Sequence, residues 1–433
     1  MTFFLNRQQN HESASNLFAF AFIRKDGSVG TIGHPFYGGS YFPSGIQSAP
    51  ERIVANNLAF AALNRDGSVR AWGSRDAGGD FSYIPSLSSP KVVEIFSTSN
   101  AFAAIRADGS VIAWGRDLSG GQLDKTREKN PEDIQKKIGT NVKTIVASDN
   151  AFTALRRDGS VISWPTDSFG GDSRKISGSF VALASNRYAF AGITESGGVE
   201  VWGSRDFGGE LSSAAKKSLS GGVKKIVATG SAFAALKGNG AVIAWGGEGS
   251  GGDPGKTIQS RIAGGVKSVH ATESAFAAIT RTGGVIAWGD PSAGGKVPDH
   301  LTGGLSNVST IYASNGTFAA VAKDRIISWG SRYAEGVVKL PEGAKVVDVV
   351  ASSEAFAALT DQGQVLTWGK DDFGGRPNAV ASNLLKSGVL ALQANYGAIA
   401  AIKSDGRLIS WGDSDFGGKK GFDPFIRDVV SFG

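Results

Sequence analysis

Chemistry near neutral pH would have to rest on four histidines, His11, His34, His270 and His300, because the sequence contains no cysteine. A metal site or a nucleophile–base pair needs such groups at close, regular spacing. These four fall at unrelated places in the chain. Disulfides, thiol nucleophiles and cysteine metal sites are excluded by composition. Asp-Phe-Gly, at Asp206, Asp372 and Asp415, matches a kinase motif in letters only, since the other parts of a phosphoryl-transfer site are missing. The expectation is binding without turnover: no catalytic residue, no metal and no cofactor.

The same triplets suit a different chemistry. Asp206-Phe207-Gly208-Gly209, Asp372-Phe373 and Asp415-Phe416 place a carboxylate, an aromatic face and pliant backbone together, and Phe169 precedes a further Gly-Gly pair. A carboxylate accepts hydrogen bonds from sugar hydroxyls, and an aromatic ring packs against the sugar face. Repetition would add avidity. The competing reading is structural: Asp caps a turn, Phe packs between neighbouring units, and Gly supplies backbone freedom.

These turns belong to a unit that recurs ten times, centred on Ile32, Trp72, Trp114, Trp164, Trp202, Trp245, Trp288, Trp329, Trp368 and Trp411. In nine copies an apolar residue lies twelve positions ahead of the centre, as with Phe60 and Trp72 or Ile399 and Trp411, which fixes a hairpin register. Asp-Gly pairs such as Asp66-Gly67 and Asp108-Gly109 sit between the apolar runs and tolerate the positive φ of a tight turn. The runs are apolar on both alternating faces, so each strand is expected to be buried on two sides. A third strand of the form V-x-x-[IV]-x-x-[ST] precedes each hairpin, as at 142–148 and 266–272. After each Gly-Gly comes a short segment that reads as a helical turn or an outer edge strand.

The first copy lacks this leading strand, and residues 426–432 (IRDVVSF) supply one with no hairpin behind it. Pairing the two ends would complete one sheet and leave no edge exposed. The predicted fold is all-β: one closed β-propeller over residues 1–433, with about ten blades of three to four short strands. The segment 124–139, DKTREKNPEDIQKKIG, lengthens the third spacing. Asn130 can cap a helix there, with Pro131 in its first turn and Ile134 and Ile138 four apart on one face. It reads as a charged decoration that serves partner contact more than folding, with Lys125, Arg127, Lys129, Lys136 and Lys137 as candidate contacts.

The unit resembles the repeat of the regulator of chromosome condensation family. The carriers are the leading V-x-x-[IV], the D-G-x-V turn and the W-G ending, as in Val142, Ile145, Asp158, Gly159, Val161 and Trp164. The resemblance covers nearly the whole chain and implies a β-propeller. It also implies a protein partner, since family members include exchange factors for the small GTPase Ran and bacterial effectors acting on host GTPases. The chain departs from the family in having alanines such as Ala59 and Ala101 where a histidine is common, Gly-Gly in place of a G-Q-L-G close, and ten short units in place of seven longer ones. No functional residue of the family carries over.

Net charge is +6 and the pI about 9.3. Arg24, Lys25, Arg65, Arg106, Arg156, Arg157, Lys237, Arg281, Lys323 and Lys403 gather at the hairpin turns, where neighbouring aspartates offset their field. Without basic runs interleaved with stacking aromatics, nucleic-acid binding is not expected. No apolar stretch is long enough for a transmembrane helix or a signal peptide, so the sequence reads as cytoplasmic, or as exported without a cleavable signal, and monomeric. The leading expectation is a protein-binding platform; the alternative is a multivalent carbohydrate-binding lectin built on the Asp-Phe-Gly-Gly turns.

Overall fold

In the computed structural model every repeat becomes one antiparallel sheet. The structure describes residues 15–39, 50–80, 90–123, 134–165, 170, 171, 173, 176–418, 421, 422 and 426–432. Among the described residues there are ten sheets of three or four strands. The third unit shows the plan: an inner strand Val92–Ser97, a middle strand Ala101–Arg106 and an outer strand Val111–Gly115. Middle and outer strands meet through the Asp-Gly turn in the predicted register, with Phe102 opposite Trp114. The eighth unit is the exception in spacing, eleven residues from Phe318 to Trp329, and its turn is correspondingly shorter.

Middle strands such as AFAALN, Ala59–Asn64, are buried at every residue. Alternation puts Phe60 on one face, stacked on Trp72 at 5.1 Å, and alanines on the other. That pattern sets the packing between units: Ala59 and Ala61 of the second meet Phe102 and Trp114 of the third. Small residues facing large ones let sheets interdigitate without voids. Each successive pair of units shares such an apolar cluster, and the tenth packs on the first, where Ala398 and Ala400 meet Phe20 and Ile32.

The chain ends complete the first sheet. Val429–Ser431 pairs with the middle strand Ala19–Arg24, in the place other units give to their own inner strand. Backbone bonds repeat across this junction. The Val429 N–H donates to Gly406 O of the tenth unit at 3.0 Å, as Val92 N–H does to Gly67 O of the second. The Ser15 hydroxyl donates to Ala394 O at 2.8 Å, as Ser97 does to Ala55 O at 2.9 Å.

Two turn devices hold the units in place. Where Gly-Gly follows the Trp-Gly, the three residues before it form a one-turn 3-10 helix, as at Arg205–Phe207, closed by Gly208 in the left-handed region at φ 84°. The next unit's tryptophan sits on it: Trp245 Nε1–H donates to Gly208 O at 3.1 Å, and Trp411 does the same to Gly374 O at 2.9 Å. A Cβ on Gly78 would come within 2.9 Å of Trp114. The last position of V-x-x-[IV]-x-x-[ST] is the second device. Thr98 donates to Ser119 O at 2.9 Å, and Asn56, in the same place, to Ala77 O at 2.7 Å, tying the inner turn to the 3-10 turn of its own unit.

The short segment after Gly-Gly takes both expected forms. It is a helix at Ser213–Ser218, Gly255–Arg261, Asp299–Thr302 and Ala379–Leu384, and an edge strand at Gly336–Lys339 in the eighth unit and at Gly421–Phe422 in the tenth. Within the 124–139 segment the described part is the helix Ile134–Ile138. Ile134 and Ile138 are buried in the cluster between the third and fourth units, beside Trp164. This differs from the reading of a solvated decoration: two apolar residues four apart put one helical face on the core, in the role Leu219 has after Ser213–Ser218. Lys136 and Lys137 point to solvent; Lys125, Arg127 and Lys129 lie outside the described residues.

Trp202, 3% exposed and bonded to the Ser163 hydroxyl at 3.1 Å, is expected to lose about 3–5 kcal/mol on Trp202→Ala in denaturant unfolding. Ile138→Ala, at 0% exposure, is expected to cost about 2–4 kcal/mol in the same assay, whereas a solvated decoration would give a change near zero.

Candidate functional site

Strand direction sorts the surface into two faces. The hairpin turns lie at one end of every unit; the turns after the inner strands and the 3-10 turns lie at the other, joined by the Thr/Asn clasp. On this second, turn-bearing face, backbone bonds link neighbouring units directly: Asn57 N–H donates to Ser99 O, Ser99 N–H to Asp149 O, and Gly230 N–H to Glu273 O at 2.7 Å. Arg187 reaches past Gly230 to form an ion pair with Glu273, and a Cβ on Gly230 would collide with that carboxylate.

The Asp-Phe-Gly-Gly turns are on the turn-bearing face. Asp206, Asp372 and Asp415 are exposed, while Phe207, Phe373 and Phe416 are half-buried. The glycines are not an open backbone: Gly208, Gly374 and Gly417 are buried, Gly209 packs on Gly203, and the carbonyls of Gly208 and Gly374 are taken by tryptophans. Phe169 lies outside the described residues. Phe207 stands apart from the other two and packs edge-on against Tyr188 at 4.7 Å.

Phe373 and Phe416 are brought together by residues the sequence reading passed over. Phe373 lies 5.9 Å from Tyr396, Tyr396 5.3 Å from Phe416, and Phe416 5.2 Å from Phe18 of the first unit. From Phe18 the row continues to Tyr37 at 4.5 Å, His34 at 4.9 Å from that ring, and Phe36 at 5.8 Å from His34. At its other end Lys370 Nζ lies 4.6 Å from the Phe373 ring and 5.1 Å from Tyr333. The row therefore crosses the eighth, ninth, tenth and first units, including the junction of the chain ends. Its outer members are open to solvent, Phe36 at 80% and Tyr333 at 43% exposure. The legible signal was positional: Tyr37, Phe373 and Phe416 all occupy the third residue of the 3-10 turn.

On the opposite face the basic residues gather at the hairpin turns as expected. Asp66 accepts from Ser68 N–H at 2.9 Å and from its hydroxyl at 2.6 Å, and these bonds hold its carboxyl below the usual range. Asp26, Asp108 and Asp158 repeat the arrangement.

From the second unit to the tenth the inner strands of neighbouring units touch one another. Their third and fifth positions carry titratable groups. Burial raises Glu94, with Arg52 of the neighbouring unit opposing. Burial raises Asp348, and Tyr312 is raised by burial and then by the Asp348 charge. His270, with Nε2 3.0 Å from the Ser268 hydroxyl, is pushed down to about 4 by burial and by Lys225. His34 joins the aromatic row and His300 pairs with Glu335 at 3.3 Å. Among the described residues no group of three or more His, Asp or Glu is placed to hold a metal ion. Among the described residues no helix is long and apolar enough to cross a membrane.

No protein-family description and no curated protein matches the chain. Solved structures do. Prp20p from Saccharomyces cerevisiae is 18% identical, with 98% of this chain and 88% of that one covered and a TM-score of 0.35. The CRINKLY WD40 ectodomain of the Arabidopsis thaliana receptor kinase ACR4 is 13% identical over 76% and 94%, at 0.36. Human WBSCR16 is 14% identical over 96% and 93%, at 0.34. At these identities and scores the geometry described above, rather than the likeness, carries the account of the fold.

Unfolded histidine protonates near 6.5, so between 6.5 and about 4 the unfolded chain binds more protons than the folded one and stability falls as pH drops. His270→Gln is expected to flatten that fall by on the order of 2 kcal/mol, read from denaturant midpoints across the window.

Proposed function

We propose that this chain is a closed ten-bladed β-propeller that binds a protein partner, without turnover, through the aromatic row on its turn-bearing face. The closed form is supported by the tenth unit packing on the first and by hydrogen bonds at that junction matching those at the others.

The observation that carries the function is the row itself. Stacked turn aromatics need no exposed ring to hold a scaffold, yet Phe36 stands almost free at one end and Tyr333, with Lys370 and Arg332 against its ring, at the other. Aromatic and cationic side chains on a rigid frame are the residues that dominate protein interfaces, because they bury large area at little entropic cost. The rings rest on turns that the next unit packs against: Gly374 O holds the Trp411 N–H, and Gly417 lies against Ile32 and Gly33. A sugar site would instead call for a carboxylate beside an open ring and accessible backbone. Here the turn carbonyls are occupied and the rings face each other.

Photo-reactive benzoylphenylalanine in place of Phe36 should cross-link one predominant protein, and Phe416→Ser should weaken capture at least ~30-fold, the scale of losing a hot-spot residue. Thermal unfolding of the variants checks that the scaffold stands. Cross-linking unaffected by Phe416→Ser removes the row as the contact surface. Selective glycan-array binding abolished by Phe416→Ser favours the lectin, and accelerated nucleotide exchange on a small GTPase would identify the partner class implied by the repeat resemblance.

A further inference from the structure

The mouth of the ring on the hairpin face is a second surface, and it does not depend on the aromatic row. It is built by a device that recurs almost without exception. Between the first and third residues of the inner strand the pairing slips by one, as at Val92/Glu94, Val266/Ser268 and Val389/Ala391. The second residue is left out of the ladder as a bulge, the arrangement by which a strand re-aims one side chain. Because the inner strand starts beside the preceding unit's hairpin turn, every bulge lies at the hairpin end of the axis.

What the bulges carry is not uniform. In the ninth, tenth and first units they present Val347, Leu390 and Val430, exposed at 54%, 63% and 50%. In the fourth, sixth and seventh units the same position holds Lys143, Lys224 and Lys267, all exposed. Val93 and Val181 bring the exposed aliphatic bulges to five of the nine large apolar side chains exposed among the described residues, so this exposure is concentrated at one register position. Glu51 is the one acid at the position. Around the cycle of units the three adjoining aliphatic bulges centre on the tenth, and the three lysines fall on the far side, with Val181 of the fifth unit among them. Lys225 adds to the basic arc, as do Arg157 and Arg281 on its adjoining hairpin turns. Among the described residues none of Lys143, Lys224 and Lys267 is in an ion pair.

We infer that this mouth binds an acidic amphipathic segment of a partner protein. An amphipathic helix, about 10–12 Å across with its side chains, presents an apolar stripe opposite a charged one. Laid across the mouth, its apolar stripe meets Val347, Leu390 and Val430 while its carboxylates meet the lysines. Both halves are needed: exposed lysines alone attract any polyanion, whereas the aliphatic arc recognises only a ligand with a hydrophobic side. Nucleic acid lacks that side.

The test uses a fluorescent peptide of about 18 residues, with Leu on one helical face and Glu on the other, against the full chain. A scrambled peptide of the same composition and a duplex DNA are competitors. The amphipathic peptide should bind at least ~10-fold more tightly than the scrambled one, and Lys224→Glu with Lys267→Glu should weaken it ~10-fold or more. Leu390→Asn with Val430→Asn should weaken it ~5-fold or more at exposed positions that leave thermal unfolding unchanged. A photo-reactive residue at 390 should label the peptide, and Phe36→Ala should leave its affinity unaltered, which separates this surface from the aromatic row. Equal binding of both peptides, indifference to the aliphatic pair, or displacement by DNA more effective than by unlabelled peptide would each overturn the proposal.

Discussion

Everything in this molecule follows from sheets too thin to stand alone. A three-stranded sheet whose middle strand reads Ala-Phe-Ala-Ala has no solvent face to offer, since Phe60 points one way, Ala59 and Ala61 the other, and all three are fully buried. It becomes stable only between two others. The close approach of alanine to the next unit's Phe–Trp stack then dictates the glycines, because the turn beneath that stack has no room for a Cβ. It also dictates the tryptophan: its ring fills the gap left by alanine, and its N–H reaches the turn carbonyl of the unit before it.

The first unit shows how strict that requirement is. Its hairpin lies near one end of the sequence and its inner strand near the other, and Ile32 stands where the other units have tryptophan. Val429–Ser431, supplied from the far end of the sequence, takes up the same bonds that a continuous unit makes. The free edge of the middle strand Ala19–Arg24 is thereby paired with strand rather than capped with charge.

Features governed by neighbours in sequence were legible. The Asp-Gly turns, the Phe-to-Trp register and the three-stranded unit each depend on contacts within about twenty residues. The helix Ile134–Ile138 was legible as a helix because its apolar spacing is local, but not as part of the core, because the side chains it meets belong to two different units. The bulges are invisible to pattern reading: Val-Val-Glu and Val-Lys-Ser look like uninterrupted strand, and only the pairing with the middle strand shows that the second residue is left out. The aromatic row was half legible. Phe373 and Phe416 stood out in their triplets, whereas Tyr396 joins them from the inner turn of the tenth unit, and Phe18 and Tyr37 only across the junction of the chain ends.

The division between what repeats and what varies separates scaffold from surface. Inter-unit packing tolerates little: the middle strand is Ala-Phe-Ala-Ala in five units, and in the tenth Ile399 alone departs from it. Two positions nonetheless differ from unit to unit, namely the third residue of the 3-10 turn and the bulge of the inner strand. Both change character in the same sector. From the ninth unit to the first the turn residues are Phe373, Phe416 and Tyr37 and the bulges are all aliphatic; the fifth unit repeats the pair with Phe207 and Val181, while Ala77, Ser119, Ser250 and Ala293 occupy the turn position in the second, third, sixth and seventh units. Packing does not ask for this, since Ala77 and Ala293 fill the same place as Phe373 in units that are equally well buried. One side of an otherwise repetitive body is thus made apolar on both faces, an asymmetry that the packing between sheets neither requires nor explains.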